Sequence, residues 1–254
     1  MIFVSVMTYA LGKELGLTEA VVEFHAQVKE PSSDSLPAAR VVARLARLDE
    51  LGLYIDPAAT CIGKGRSRAF HAARESAADV WLSVDDDVDA DTRTLELLVE
   101  AVRGDADTPR VVFAPYWLRE QDKVSAALEL HPLARPIKGG GEALSAVAGG
   151  FGLVAVNRAA MQRLLVEHTP SILYRDDDGV ERLALFHDIF FGGSGVGVWY
   201  GEDTSFYKRC RGVGVRVEAL ATGNTVHCGR ALRLDQIGTL PRFELAGKPR
   251  VTLS

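Results

Sequence analysis

Residues 80–87 narrow the folds open to this chain more than any other segment: the run Val80-Trp81-Leu82-Ser83-Val84 is followed at once by Asp85, Asp86 and Asp87. A run this apolar makes a strand covered on both faces, as in a sheet with helices on either side. The flanking segments have helical period. Phe70, Ala73 and Ala77 recur within 66–78, and Leu95, Leu98, Val99 and Val102 within 91–103. With the further β-branched runs Ile2–Val6 and Val111–Ala114, the pattern is βα alternation: an α/β fold with a largely parallel sheet flanked by helices. Linker-like composition is confined to Pro31–Pro37, and Gly139–Gly141 and Gly192–Gly197 read as glycine-rich loops.

In open α/β sheets ligands sit outside the carboxyl ends of the strands, so Asp85–Asp87 mark the expected site. Carboxylates crowded at the end of a buried strand repel one another and are costly to desolvate, and a divalent cation relieves both. The other acidic triplet, Asp176-Asp177-Asp178 before Gly179, lies in a polar stretch and reads as a solvated turn. Asp85, Asp87, Asp89, Asp91 and Glu96 also have the spacing of a calcium-binding EF-hand loop. Ala90, however, stands where that loop needs glycine, and the preceding segment reads as a strand rather than a helix.

The chain has 254 residues, 47% of them hydrophobic, with 29 Lys and Arg against 34 Asp and Glu for a net charge of −5. That excludes a disordered chain or a small disulfide scaffold. Cys61, Cys210 and Cys228 are odd in number and lack C-x-x-C spacing, so a reduced compartment without a structural zinc is expected. The N-terminal MIFVSVMTYALG has no basic leader or small-residue cleavage pattern, and no run approaches the roughly 18 apolar residues of a membrane span, so a cytoplasmic protein is expected. The acidic balance provides no footprint for nucleic acid, although 230–254 forms a basic C-terminal tail.

Asp85-Asp86-Asp87 after an apolar strand resembles the D-x-D motif of GT-A glycosyltransferases, especially family 2-like enzymes of bacteria and phages. Four further segments follow the order of that family. Ile2–Tyr9 resembles its first strand, Gly65–Ala73 (GRSRAFHAA) its "ARN" helix, and Ala148–Leu164 its glycine-led acceptor-side strand and helix. Gly201–Gly229 resembles its E-D helix, strand and late His-x-Gly. Ser67 replaces the usual Asn after Arg66, and residues 20–50 match no part of the pattern. The resemblance implies a GT-A domain over 1–229, with a nucleotide-binding half (1–110) and an acceptor-side half (111–229) that carries a smaller sheet. It further implies transfer of a sugar from a nucleotide-diphosphate sugar, a UDP-sugar by expectation, to a hydroxyl acceptor with inversion.

The same resemblance assigns roles residue by residue. Asp87 is the first metal ligand, for Mn²⁺ or Mg²⁺, with Asp85 on the metal or on the ribose and Asp86 near the nucleotide. His227 completes the metal shell or is a hydrogen-bonded loop histidine. Asp203 is the base that takes the acceptor proton, or the cap of its helix, and Glu202 positions the acceptor or is a solvated acid. Arg66 and Arg68 reach the diphosphate beside a helix N-terminus, with simple exposure the rival for Arg68. Thr8 and Tyr9 contact base and ribose or merely end the strand. Gly149 and Gly150 let a sugar approach the backbone or form a bulge. Trp199 and Tyr200 wall the acceptor, with core packing the rival for Trp199.

A glycan, a lipid carrier, a small metabolite and a hydroxymethylated base in phage DNA all stay open as acceptor. Two other classes remain: a nucleotidyltransferase, for which only Gly12-Lys13 stands in place of a phosphate loop, and a calcium- or sugar-binding module without turnover.

Overall fold

In the computed structural model, which describes residues 1–8, 17–56, 61–118, 122–169, 171–192, 197–227 and 229–239, the β-branched runs become strands of one nine-stranded sheet. They are β1 (Ile2–Met7), β3 (Val80–Asp85) and β5 (Arg110–Phe113), and β2 (Leu51–Asp56) lies at one edge. β1 pairs in parallel with β2 and β3. β9 (Leu153–Asn157) inserts antiparallel between β3 and β5, and β14 (Arg216–Leu220) continues parallel to β5. β8 (Glu142–Gly149) then pairs antiparallel with β14 and carries β6 (Ala126–Leu128) and β7 (Ala134–Pro136). Strands β8 and β9 thus run against all the others in the expected α/β sheet.

Helices cover the sheet because each offers it an apolar stripe. They are α1 (Leu17–Lys29), α2 (Pro37–Leu45), α3 (Ile62–Glu75), α4 (Thr92–Arg103), α5 (Arg158–His168) and α6 (Glu202–Gly212). In α4 the expected Leu95, Leu98, Val99 and Val102 are buried, and Asp91 caps the first turn by accepting from the Thr94 N–H at 2.7 Å. The helix expected over 66–78 is shifted. It starts at Ile62 and stops at Glu75, where extended Ser76 turns its hydroxyl back to the Ala73 carbonyl at 2.6 Å and leaves Ala77 exposed. Residues 20–50, unmatched by pattern, supply α1 and α2. Arg40 of α2 donates to Asp89 at 3.0 Å and Arg44 bonds the same carboxylate.

Three small sheets complete the fold. β4 (Val88–Ala90), β15 (Asn224–His227) and β16 (Arg230–Arg233) form one. The hairpins β10 (Leu173–Arg175) with β11 (Glu181–Leu183) and β12 (Ile189–Gly192) with β13 (Gly197–Tyr200) form the others. Of the glycine-rich stretch 192–197, Gly192 and Gly197 pair with each other in the second hairpin, and 193–196 lie outside the described residues.

The solvated-turn expectation for the second triplet is corrected at one residue. Asp176 does sit in a turn, but its carboxylate is fully buried, and Lys64, Arg68 and Arg182 all converge on it at 2.6–2.9 Å. Those cations hold its carboxyl far below the usual carboxylate range, Arg68 foremost. The EF-hand spacing, already set aside on Ala90 and the strand before it, is used otherwise: Asp89 pairs with Arg40 and Arg44, Asp91 caps its helix and Glu96 lies near Arg93. Cys61 and Cys210 are free thiols, and Cys228 lies outside the described residues. Among the described residues no helix is long and apolar enough to cross a membrane.

Candidate active site

The carboxyl ends of β1, β2, β3 and β5 lie at one edge of the sheet, where the chain must cross from the end of β8 to the start of β9. Only Gly150, Phe151 and Gly152 span that crossing, which passes over Phe113 and Tyr116. A Cβ on Gly149 would sit 2.3 Å from the Phe113 ring, and one on Gly150 would sit 2.2 Å from the Tyr116 hydroxyl. Close packing of the crossing on these rings accounts for both glycines. The crossing is pinned by the Asp85 N–H, which donates to the Gly152 carbonyl at 2.8 Å.

Asp85 is the last residue of β3; Asp86 and Asp87 make the turn into β4, and β4 pairs with β15 so that Val88 faces His227. This pairing brings Oδ2 of Asp87 to 3.1 Å from Nε2 of His227, which is 140 residues later. The other ring nitrogen, Nδ1, lies 2.6 Å from the Trp117 carbonyl and donates its hydrogen there. A neutral imidazole so oriented turns the Nε2 lone pair towards a carboxylate, an arrangement that a proton or a metal cation must satisfy.

Among the described residues no three metal-ligating side chains form a cluster. Asp87 and His227 nevertheless offer one hard oxygen and one nitrogen, two donors that would suit Mn²⁺, whereas Mg²⁺ would be held by the carboxylate alone. Both oxygens of Asp85 are instead engaged at 3.0 Å by the guanidinium of Arg66.

Arg66 is the electrostatic centre of the site. It projects from α3 into the protein, 2% exposed, with its guanidinium 4.8 Å from the centre of the Phe151 ring. Its two ends bridge carboxylates: Nη2 bonds Asp85 and Nη1 bonds Asp203, with Glu202 at 3.8 Å. Flanking acids hold Arg66 charged against the cost of its burial. Asp203 also accepts from the Phe151 N–H at 3.1 Å. Burial, with Glu202 and Asp85 adding to it against the pull of Arg66, pushes its carboxyl up to about 6. Burial likewise raises Asp85.

The cap expected as a rival role for Asp203 falls to Gly201, which leaves the Asp203 side chain turned to Arg66 and the crossing. Glu202 is half-exposed beside it. Thr8 is buried at the end of β1, its N–H donating to the Asp56 carbonyl at 3.2 Å and its hydroxyl without a partner among the described residues. Tyr9, like Gly12-Lys13, lies outside the described residues. Asp86 accepts the Ala38 N–H on its backbone carbonyl at 3.4 Å.

Arg68 lies apart from this group. One turn of helix is 3.6 residues, so two positions along α3 is more than half a turn, and the side chain faces Asp176 rather than the acidic edge. Trp199 is 65% exposed, not core, and its indole N–H donates to Asp188 at 2.7 Å. Tyr200 lies under Lys208, whose ammonium is 4.1 Å from the ring centre.

Two residues of this edge escaped sequence reasoning. Asp56 is buried at the end of β2, and the only signal was an acid closing a weakly apolar strand. Tyr116 is buried under the crossing, its hydroxyl 3.3 Å from the Gly152 N–H and its ring 4.7 Å from that of His227.

No protein-family model matches the sequence, and no curated protein matches it. Among solved structures the chain is similar to A197 from STIV, at 16% identity and a TM-score of 0.49 over 97% of each chain. It is also similar to GalNAc-T7 in a complex with UDP, GalNAc and Mn²⁺, at 11% identity and a TM-score of 0.46, and covers 46% of that chain. With S. aureus TarS the identity is 14% and the TM-score 0.41, over 86% of this chain and 57% of that one. The chain thus spans about half the length of the latter two. These likenesses are of fold. Within the structure itself, each segment carrying the sequence resemblance falls on the kind of element it implied: β1, α3, the β3 end, β9 with α5, and α6 with β14 and β15. The fold is GT-A-like.

Proposed function

We propose that this protein is a metal-dependent glycosyltransferase that moves a sugar from a UDP-sugar to a hydroxyl acceptor with inversion. The observation that carries the reading is the convergence on one sheet edge of the Asp87–His227 pair and of Asp203, a partly buried carboxylate held by Arg66 and raised to about 6. A general base serves best when its pKa lies near the working pH. Asp203 takes the proton of the acceptor hydroxyl as that oxygen bonds to the anomeric carbon, and the bond from that carbon to the diphosphate breaks on the opposite face. Arg66 and the Phe151 N–H hold the base in place, and Arg66 holds Asp85 by the same guanidinium. Glu202 orients the acceptor. Asp87 and His227 would hold a divalent cation, whose chemistry is to neutralise charge growing on the leaving diphosphate. Thr8 and Asp56, both buried at the ends of their strands, belong to the nucleoside side of the edge. In this reading 1–110 serve the donor and 111–229 the acceptor.

Calorimetric titration with UDP, with and without Mn²⁺, tests the proposal on the wild type and on Asp87→Ala. Metal-dependent binding that the variant loses is the expected result. Absence of UDP binding under both conditions, or binding indifferent to metal and to Asp87, overturns it.

A further inference from the structure

β8 pairs with β14 only as far as Ser145 and Glu218 and then pairs with β6, while β14 reaches back to Arg216. Where the two strands part lies a cavity of about 550 Å³, at the edge where β5 and β14 begin and away from Asp85 and Asp203. Leu133, Val215 and Val217 give it an apolar wall. The volume is that of a small-ligand site.

The charge around this cavity does not balance. Arg216 stands opposite Arg110 of β5, and alternate residues of a strand share a face, so Arg110, Arg216 and Glu218 lie on one face of the sheet. Arg135 of β7 takes the Glu218 carboxylate through its Nε at 2.9 Å and its Nη2 at 2.5 Å. Arg110, only 1% exposed, is left beside that pair. Its Nε is 3.3 Å from Glu218 without the alignment of a hydrogen bond, and its Nη1 has no hydrogen-bond partner among the described residues. Its Nη2 is 3.6 Å from Asp105. Burial, with Arg135 and Arg216 adding to it against the pull of Glu218 and Asp105, lowers the Arg110 pKa. On the cavity wall Arg211 reaches Glu129 at 3.4 Å, and exposed Arg216 has no ion pair among the described residues. Arg110, Arg135, Arg211 and Arg216 thus meet only Asp105, Glu129 and Glu218, which leaves one positive charge in surplus.

Guanidinium groups approaching from different strands suit phosphate, whose oxygens point in more than one plane. The apolar wall suits a hydrocarbon group attached to it. Leu133 lines the cavity yet is 75% exposed, although its backbone is fixed on both sides to Ser145 at 2.8 and 2.9 Å. Leu130, 91% exposed, carries the apolar surface outwards.

We infer that this cavity binds the phosphate of an ester that bears an apolar group, with Arg216 and Arg211 on the phosphate and Leu133 on the hydrocarbon. The inference is independent of the reading of the acidic edge. A soluble phosphate ester and a lipid headgroup share this chemistry, and the two arms of the test separate them.

One arm is calorimetric titration of the full chain with hexyl phosphate and with inorganic phosphate. The other is flotation with vesicles of phosphatidylcholine, with and without phosphatidic acid. The variants are Arg216→Gln, Arg216→Glu and Leu133→Ser, with circular dichroism to confirm the fold. Hexyl phosphate should bind the wild type more tightly than inorganic phosphate and weaken by about tenfold or more in both Arg216 variants. Its advantage over inorganic phosphate should vanish in Leu133→Ser, and UDP with Mn²⁺ should displace none of it. Flotation that needs phosphatidic acid and is abolished by Arg216→Glu assigns the phosphate to a bilayer lipid, and hexyl phosphate binding without flotation assigns it to a free ester. Failure of both probes on the wild type, binding indifferent to Arg216, or displacement by UDP overturns the inference.

Discussion

The carboxylate of Asp203 is held by the guanidinium of Arg66, 137 residues earlier in the chain, and that guanidinium also grips Asp85. One buried cation therefore sets the geometry of the proposed base and of the acid that ends β3 together.

Removing that buried cation leaves two partly buried acids facing each other without their counter-charge. Arg66→Ala should cost about 3–5 kcal/mol, because breaking a buried ion pair leaves uncompensated charge behind. Lysine, a point charge without the forked geometry, should recover only part of the loss. Urea denaturation of the three proteins measures both effects, and wild-type stability in Arg66→Ala would contradict the assignment.

Asp203→Asn should lower the transfer rate by about 10²- to 10⁴-fold while leaving UDP affinity intact, as befits the loss of a general base. The carboxylate form is the active one, and burial raises its pKa to about 6. The wild-type rate should therefore climb as pH rises through about 6 and level off above it. Initial rates across pH 4.5–8, at saturating substrate, would show a limb elsewhere if another group were the base.

His227→Ala should weaken Mn²⁺-dependent UDP binding by at least about 10- to 100-fold, the loss usual even for groups that only support a metal ligand. Affinity measured without metal should not change. An equal loss in both conditions would instead make His227 a packing residue beneath Tyr116.

Acid should expose the role of Asp176. Its folded pKa is depressed, mainly by the hydrogen bond from Arg68, so its contribution to stability is present above the unfolded value near 3.8 and is lost as pH falls below that. Asp176→Asn should therefore be less stable than the wild type at pH 7, with the gap closing as pH drops below about 4. Thermal unfolding at pH 7 and pH 3 reads the difference. A gap independent of pH would mean that charge is not what Asp176 contributes.

Much of the architecture was legible from local pattern. Val80–Val84 is apolar enough to require burial on both faces, and an acidic triplet directly behind it has to fall at a strand end. The spacing of Leu95, Leu98, Val99 and Val102 is met by one helical stripe, and Asp91 caps that helix through a contact three residues away. Such features depend on neighbours within a turn or two of chain, so a linear sequence displays them.

Long-range pairing was not legible, because it depends on sheet order. The insertion of β9 between β3 and β5 drags the Gly150–Gly152 crossing over the site and delivers the Phe151 N–H to Asp203. The pairing of β4 with β15 brings Asp87 to His227. The two acidic triplets look alike as strings, yet three cations gathered from α3 and β11 bury the first residue of the second one. Period and capping are written within one or two turns of chain, whereas the partner of a charge is chosen by which distant strands lie side by side.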